Sequence, residues 1–261
     1  MTVRVLLLGG TGDARRLAAR LVADPNLDVT TALAGQVRTP LLPPGKVRVG
    51  GFGGPDGLVG WLREQRIDAV VDATHPFATT ITGNAVTATA RLGLPLLVLR
   101  RPGWQAGPGD DWHWADTLAD AATRLPALGR RVFLTTGRRT DLTAFADPDL
   151  WLLLRAVDPP DPPTPPNVTV VVARGPFTVD GETALLRAHR IDVLVTRDSG
   201  GDHTAAKLVA ARRLGLPVLL VRRPEPPHTP TARTEEEVMS WLRQADQRGN
   251  PPVASTDTDS G

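Results

Sequence analysis

The sequence predicts an α/β protein built on parallel sheets, and three observations predict it. A pattern occurs twice: residues 66–77 read RIDAVVDATHPF and 91–102 read RLGLPLLVLRRP, while 190–200 read RIDVLVTRDSG and 213–224 read RLGLPVLLVRRP. Its apolar runs are rich in Val and Leu and do not alternate with polar residues, as in strands buried on both faces of a parallel sheet. Between the runs, Ala78–Arg91 and His203–Arg213 have helical length and composition, so each copy reads as strand, crossover helix, strand. The third observation is at the amino end, where apolar Val3–Leu8 runs straight into Gly9-Gly10-Thr11-Gly12-Asp13 and then a helical stretch, Ala14–Ala23.

Composition narrows the classes. The 261 residues suit one large α/β domain or two small ones, and the absence of Cys excludes disulfides, thiolate nucleophiles and Cys-ligated metals. A reducing cytoplasm is the expected location. Nothing resembles a signal peptide, and no apolar run approaches the roughly 20 residues of a membrane helix. Residues 225–261 carry three Arg against seven acids, net −4, which leaves +6 on residues 1–224 out of the formal +2. That positive body favours an acidic ligand. Its cations are scattered rather than striped with aromatics, so no nucleic-acid partner is expected. The five His, at 75, 113, 189, 203 and 228, lack ligand-like spacing, so no metal site is expected.

Taken in order, the first strand, glycine turn and helix start form an anion site: free N–H groups and the helix dipole face one point. Phosphate or ribose binding at Gly9, Gly10, Thr11, Gly12 and Asp13 is the functional reading, and a tight turn needing small residues is the bland one. GGTGDA lacks the last glycine of the dinucleotide fingerprint, and no Gly-Lys-Ser/Thr makes it a P-loop. Leu27–Leu33 is the second strand, ending in Ala34-Gly35-Gln36-Val37-Arg38. No acid stands at 33–38 to bind an NAD ribose, whereas Arg38 suits a 2′-phosphate, which favours NADP; a solvated loop Arg is the alternative.

Lys46–Val49 reads as a short strand before a loop with five glycines in the eight residues 50–57, among them Gly51 and Gly53 flanking Phe52. Such a loop is costly in entropy unless backbone passes close to something, and either a flat ligand or a mobile lid would explain it. Leu58–Gln65 is a helix. Ile67–Val71 then delivers Asp72-Ala73-Thr74-His75-Pro76-Phe77 to a carboxyl strand end, the best site candidate in the chain. His75 can bind a phosphate or carboxylate or relay a proton. Otherwise Asp72 caps a turn and His75 packs. After the strand Leu96–Leu99, the boundary is placed at Arg101–Pro102, and Pro102–Trp114 reads as a Trp-rich loop that either stacks on a ring or packs domains together.

In the second half Asp116–Leu125 reads as a helix with Asp116 as a cap, and Arg131–Thr135 as a strand. Thr136-Gly137-Arg138-Arg139-Thr140 follows, opening a short helix at Asp141–Phe145 where another anion could bind. Leu150–Arg155 and Val168–Ala173 are strands on either side of a polyproline-like DPPDPPTPPN connection. Glu182–His189 is a helix feeding the second repeat. There Ser199, Gly200 and Gly201 offer a hydroxyl and backbone donors, and Lys207 stands one turn into the helix, either over an anion or as a solvated charge. Residues 225–261 read as a Pro-rich linker, a helix opened by the capping box Thr234–Glu237, and a disordered tail. The domains are thus 1–101, 102–224 and this appendage.

Across residues 3–224 the chain resembles the precorrin-6A reductases, the CobK-type enzymes of cobalamin biosynthesis. The likeness rests on LLLGGTGDARRLA (6–18), LAG (33–35), VGGFGG (49–54) with Asp56-Gly57-Leu58, DATHPFA (72–78), Arg101-Pro102 with Trp104, VFLTTGR (132–138), RGPF (174–177) with Glu182, DSGG (198–201), AAKLVAARRLGLPV (205–218) and the closing RRP. It implies two Rossmann-like domains with parallel sheets flanked by helices, cofactor and substrate meeting in an interdomain cleft. It further implies NADPH as cofactor and a polycarboxylate tetrapyrrole-derived substrate, precorrin-6A reduced to precorrin-6B or the cobalt-containing equivalent, by a monomer or weak homo-oligomer. Gly9–Asp13, Gly35, Gln36, Arg38, Gly51–Gly53, Thr74, His75, Ser199–Gly201 and Lys207 are the cofactor candidates, with His75, Lys207 and Asp72 as catalytic candidates. The family pattern is departed from at two places: Gln36 replaces an Arg, and Arg197-Asp198 replace Lys-Asn. Another NADP-dependent reductase of a small acidic substrate, or a non-catalytic nucleotide-binding protein, would use the same fold.

Overall fold

A computed structural model describes residues 2–35, 40–138, 140–201 and 204–248. It divides into two compact units, one made of 2–35, 41–100 and 226–248, the other of 101–225. In the first, β1 (Val3–Leu8), α1 (Gly12–Val22), β2 (Leu27–Leu33), β3 (Lys46–Val49), α2 (Gly54–Glu64), β4 (Ala69–Asp72), α3 (Thr79–Leu92) and β5 (Leu96–Leu99) follow one another. The second holds β6 (Trp112–Ala115), α4 (Leu118–Leu128), β7 (Arg131–Leu134), β8 (Trp151–Ala156), β9 (Val168–Val172), α5 (Val179–Ala188), β10 (Val193–Arg197), α6 (Ala206–Leu214) and β11 (Val218–Val221). The chain then returns to the first unit with β12 (Thr231–Ala232) and α7 (Glu235–Arg248).

Both sheets are six-stranded and parallel, ordered β3-β2-β1-β4-β5-β12 and β9-β8-β7-β10-β11-β6. The period of two in a strand sorts β1 between two cores. Val3, Val5 and Leu7 join Leu17 and Leu21 of α1 and Val238 and Leu242 of α7; Leu6 and Leu8 join Leu58 and Leu62 of α2 and Ala85 and Ala88 of α3. Helices therefore cover both faces, which is why the strands read as unbroken apolar runs.

The repeat is physical. Arg66 and Arg190 both take a left-handed backbone, φ 52° and 49°, just past a helix end. The Asp two residues on then ties each unit's first central strand: Asp68 accepts from the Arg4 N–H at 2.8 Å, and Asp192 from the Arg130 and Arg131 N–H groups at 3.1 and 2.9 Å. At the other end of each copy Gly93 and Gly215 stand at φ 65° and 64°, and the next N–H donates five residues back, Leu94 to Thr89 and Leu216 to Ala211, both at 3.0 Å. That is a helix stop that a glycine accommodates without strain.

Four expectations are corrected. Trp112–Ala115 is not loop but an edge strand, with Trp112 in register with Val218; aromatic residues suit a half-covered strand, and their Gly/Pro-rich surroundings hid it. Thr117, not Asp116, caps α4, its hydroxyl accepting from the Asp120 N–H. The helix expected at Asp141–Phe145 is one 3₁₀ turn, Thr143–Phe145, because Asp141 bonds locally to Thr143 instead of opening a longer helix. Most consequential, residues 226–248 are no linker with a detached helix: β12 pairs with β5 through Thr231↔Val98 and Ala232↔Leu99, and Val238 and Leu242 are buried. The tail expected to be disordered, 248–261, lies outside the described residues apart from its first, where α7 ends.

Candidate active site

In an open parallel sheet ligands bind at the carboxyl ends of the strands, at the point where strand order reverses. In the first unit that point is between β1 and β4, so the glycine turn and the Asp72–Phe77 loop flank it. Thr11 ties the two together. Its hydroxyl donates to the Ala73 carbonyl at 3.1 Å and accepts from the Ala14 N–H at 3.0 Å, capping α1. Gly10 stands at φ 122° with nothing within 4 Å of where a Cβ would be, so its backbone borders open space. An apolar strand, a capped helix start and a bare turn fit a pyrophosphate.

Asp72 is 1% exposed, and both its oxygens are engaged: one accepts from the Thr74 N–H at 2.9 Å and hydroxyl at 2.7 Å, the other from the Thr82 hydroxyl of α3 at 2.6 Å. The carboxylate thereby fixes the loop that carries Thr74 and His75. His75 is half-buried, its Nδ1 accepting from the Phe77 N–H at 3.3 Å and its ring 5.7 Å from that of Phe77. With Nδ1 accepting, the neutral ring carries its proton on Nε2.

At the neighbouring strand ends, Gly50 N–H donates to the Leu33 carbonyl at 2.8 Å, and a Cβ on Gly35 would lie 3.5 Å from the Gly50 nitrogen. Gly9–Asp13, Gly35, Gly51–Gly53, Thr74 and His75 therefore line adjacent strand ends of one sheet. Gln36 and Arg38 lie outside the described residues.

In the second unit the order reverses between β7 and β10. Following β10, the loop Asp198–Gly201 is held from below. Arg223 pairs with Asp198 at 3.0 Å, the Trp104 N–H donates to the same carboxylate at 3.1 Å, Arg101 donates to the Ser199 carbonyl at 2.7 Å and the Trp104 indole to the Gly201 carbonyl at 3.0 Å. Asp198, the departure from the family pattern, is thus matched by its own cation. Gly200 is required by packing: a Cβ there would fall 2.2 Å from the Pro102 carbonyl oxygen.

Lys207 is 5% exposed, not a solvated charge. Its Nζ donates to the Thr204 carbonyl at 2.9 Å and lies 4.9 Å from the Trp104 ring centre. Burial pushes its pKa down to about 7, reinforced by Arg155 and opposed by Glu182. Arg155 of β8 and Glu182 of α5 form a buried ion pair, and Glu182 Oε2 has no hydrogen-bond partner among the described residues. Arg155 escaped the reading of the sequence although a lone cation in the apolar run WLLLRA was its signal. Arg48 escaped it too, since an Arg in a short edge strand reads as solvated. Thr136 and Thr140 bond to each other at 2.6 Å, Arg138 lies 3.6 Å from Asp161, and a single 3₁₀ turn, Thr143–Phe145, follows; Arg139, the other cation of this candidate anion site, lies outside the described residues. Among the described residues no group of three or more His, Asp or Glu could hold a metal ion, and no helix is long and apolar enough to cross a membrane.

Comparison with known proteins agrees with this geometry. A sequence model described as precorrin-6x reductase CbiJ/CobK matches residues 4–243. A precorrin-6A reductase of Rhodococcus erythropolis is 57% identical over 241 residues, covering 92% of this chain and 97% of its own. A cobalt-precorrin-6A reductase of Priestia megaterium is 31% identical over 252 residues, covering 91% and 97%. A solved CobK precorrin-6A reductase superposes with a TM-score of 0.86 at 44% identity, covering 94% of this chain and 98% of that one. With the family model, the relatives and the solved structure matched along nearly its whole length, this chain belongs to the precorrin-6x reductase family, CbiJ/CobK.

Proposed function

We propose that the protein reduces one macrocycle double bond of precorrin-6A with NADPH, giving precorrin-6B in cobalamin biosynthesis. Family membership carries the reaction, and the glycine turn meeting the Asp72–Phe77 loop at the β1/β4 reversal supports the first unit as the nucleotide holder. The metal-free substrate is favoured because the relative at 57% identity is named for precorrin-6A and the one named for the cobalt form stands at 31%.

When bound, NADPH supplies a hydride at its nicotinamide C4. The α1 amino end with Gly9–Asp13 would hold the pyrophosphate, and Gly35 and Gly51–Gly53 would border the adenosine. Arg38 would meet the 2′-phosphate. Asp72 acts as a positioning group through Thr74 and Thr82. His75 is the first candidate to deliver a proton from Nε2, and Lys207, an amine that changes charge near neutrality, is the second. A tetrapyrrole bearing many carboxylates accords with the net positive charge of residues 1–224, since guanidinium groups bind both carboxylate oxygens.

Fluorescence titration of NADPH against NADH tests the cofactor. NADPH is expected to bind at least about tenfold more tightly, the scale of one lost phosphate contact. Equal affinities would remove the 2′-phosphate from the account.

A further inference from the structure

The loop after β3 contains a glycine that the described residues do not themselves require. Gly51 has an ordinary backbone conformation, and nothing among the described residues lies within 4 Å of the place a Cβ would occupy. Contrast Gly57 in α2, where a Cβ would fall 1.7 Å from the Phe52 carbonyl oxygen. A glycine that costs backbone entropy without serving a turn or a close contact marks a surface kept bare for something else. Because Gly51 follows β3 at the carboxyl edge of the sheet, two strands from the glycine turn, that surface stands beside the β2 end where dinucleotide ribose is read.

Arg48 holds this surface in shape. Its guanidinium donates from Nη1 to the Gly50 carbonyl at 2.5 Å and from Nη2 to the Gly51 carbonyl at 2.9 Å. The same group lies over the Phe52 ring, its central carbon 4.1 Å from the ring centre, and Phe52 in turn meets Trp61 of α2 edge-on at 5.4 Å. A planar fork is needed to take two successive carbonyls and stack at once, which a Lys cannot do. The N–H groups of Gly51 and Phe52 donate to no acceptor among the described residues, while the two carbonyls are turned into the fork. In place of a mobile lid the loop is a braced shelf with a bare glycine on it.

We propose that Arg48 is a positioning residue for the cofactor: it builds the Gly50–Phe52 shelf on which the adenosine half would rest. This rests on the reading of NADPH as cofactor and deepens it. Arg48 acts through the loop and is not assigned to the reacting atoms, so its loss belongs in nucleotide affinity and not in turnover.

The test uses the full-length protein with NADPH and with adenosine 2′,5′-bisphosphate, which carries the adenosine end alone. Arg48→Ala is expected to weaken both by roughly tenfold or more, raising the NADPH KM while kcat at saturation and the KM for the macrocycle stay within about twofold. Arg48→Lys should fall short of full rescue. Gly51→Ala and Gly51→Val keep the proposal open to refutation should Arg48→Ala fold poorly. They should leave the melting temperature of the free protein unchanged or slightly higher, yet weaken both nucleotides. Unchanged affinity in the Gly51 variants, or a loss confined to kcat, overturns the proposal. Wild-type protein that binds neither nucleotide overturns the cofactor reading and this inference together, whereas wild-type binding with unaffected variants overturns the inference alone.

Discussion

Burial of the Lys207 amine in the first turn of α6 draws its pKa from 10.5 down to about 7. Folded protein therefore holds it neutral above about pH 7, while the unfolded chain keeps it charged up to its ordinary value. The unfolded state binds the extra proton in that window, so the burial penalty is full below about pH 7 and fades as pH rises towards about 10.5. A fall of this size corresponds to about 5 kcal/mol at most. Lys207→Met is expected to be more stable than wild type near neutral and mildly acid pH, with the gain shrinking towards alkaline pH in melts across the range. A variant destabilised at acid pH would contradict the buried-charge account. Activity then separates the two acid candidates. If His75 delivers the proton, His75→Ala loses about 10²–10⁴-fold in rate and Lys207→Met keeps the wild-type pH profile; the reverse assigns the amine. The place of His75 and Asp72 at a strand end was legible because polar residues suddenly end an apolar run. Arg48 was not, since its role lies in two carbonyls and a ring that only the folded loop assembles.

Among the elements, α7 with β12 shows how far a short segment can escape a reading of pattern. β12 has two residues, Thr231 and Ala232, too few to show a period, and it follows a stretch of prolines. The helix was legible from its capping box, and the Glu237 N–H does donate to the Thr234 hydroxyl at 3.2 Å. Its destination was not. Two kinds of contact bind it to the first unit: Glu235 and Glu236 pair with Arg16 and Arg20 of α1 at the surface, and Val238 and Leu242 are buried in the β1–α1 core. Exposed pairs are screened by water and salt, so the apolar contacts dominate. Leu242→Ala is expected to destabilise the protein by about 2–5 kcal/mol, whereas Glu236→Ala should leave the melting temperature almost unmoved. An unmoved melting temperature for Leu242→Ala would return α7 to the status of an appendage.

Over the whole molecule, the two copies of the repeat occupy equivalent places, β4-α3-β5 in one sheet and β10-α6-β11 in the other. Parallel strands and crossover helices could be read from it, because burial on both faces leaves an unbroken apolar signature. Where the chain goes after each copy could not. Both copies end in Arg-Arg-Pro, after which β6 joins the second sheet and β12 the first, a choice made by distant pairing that no local pattern encodes. The loops after β4 and β10 diverge completely, DATHPF against RDSGG, so the shared scaffold carries different side chains at the two strand ends.

The central claim, an NADPH-dependent reduction of the macrocycle, is tested most directly by turnover of purified precorrin-6A under anaerobic conditions. Nicotinamide absorbance and product mass are followed together, with NADPH and NADH in parallel and the cobalt-containing substrate alongside. The expected result is NADPH consumed one for one with substrate, a product heavier by two hydrogens, and much slower reaction with NADH. NADPH that binds yet is not consumed with either macrocycle, or a product of unchanged mass, would contradict the account.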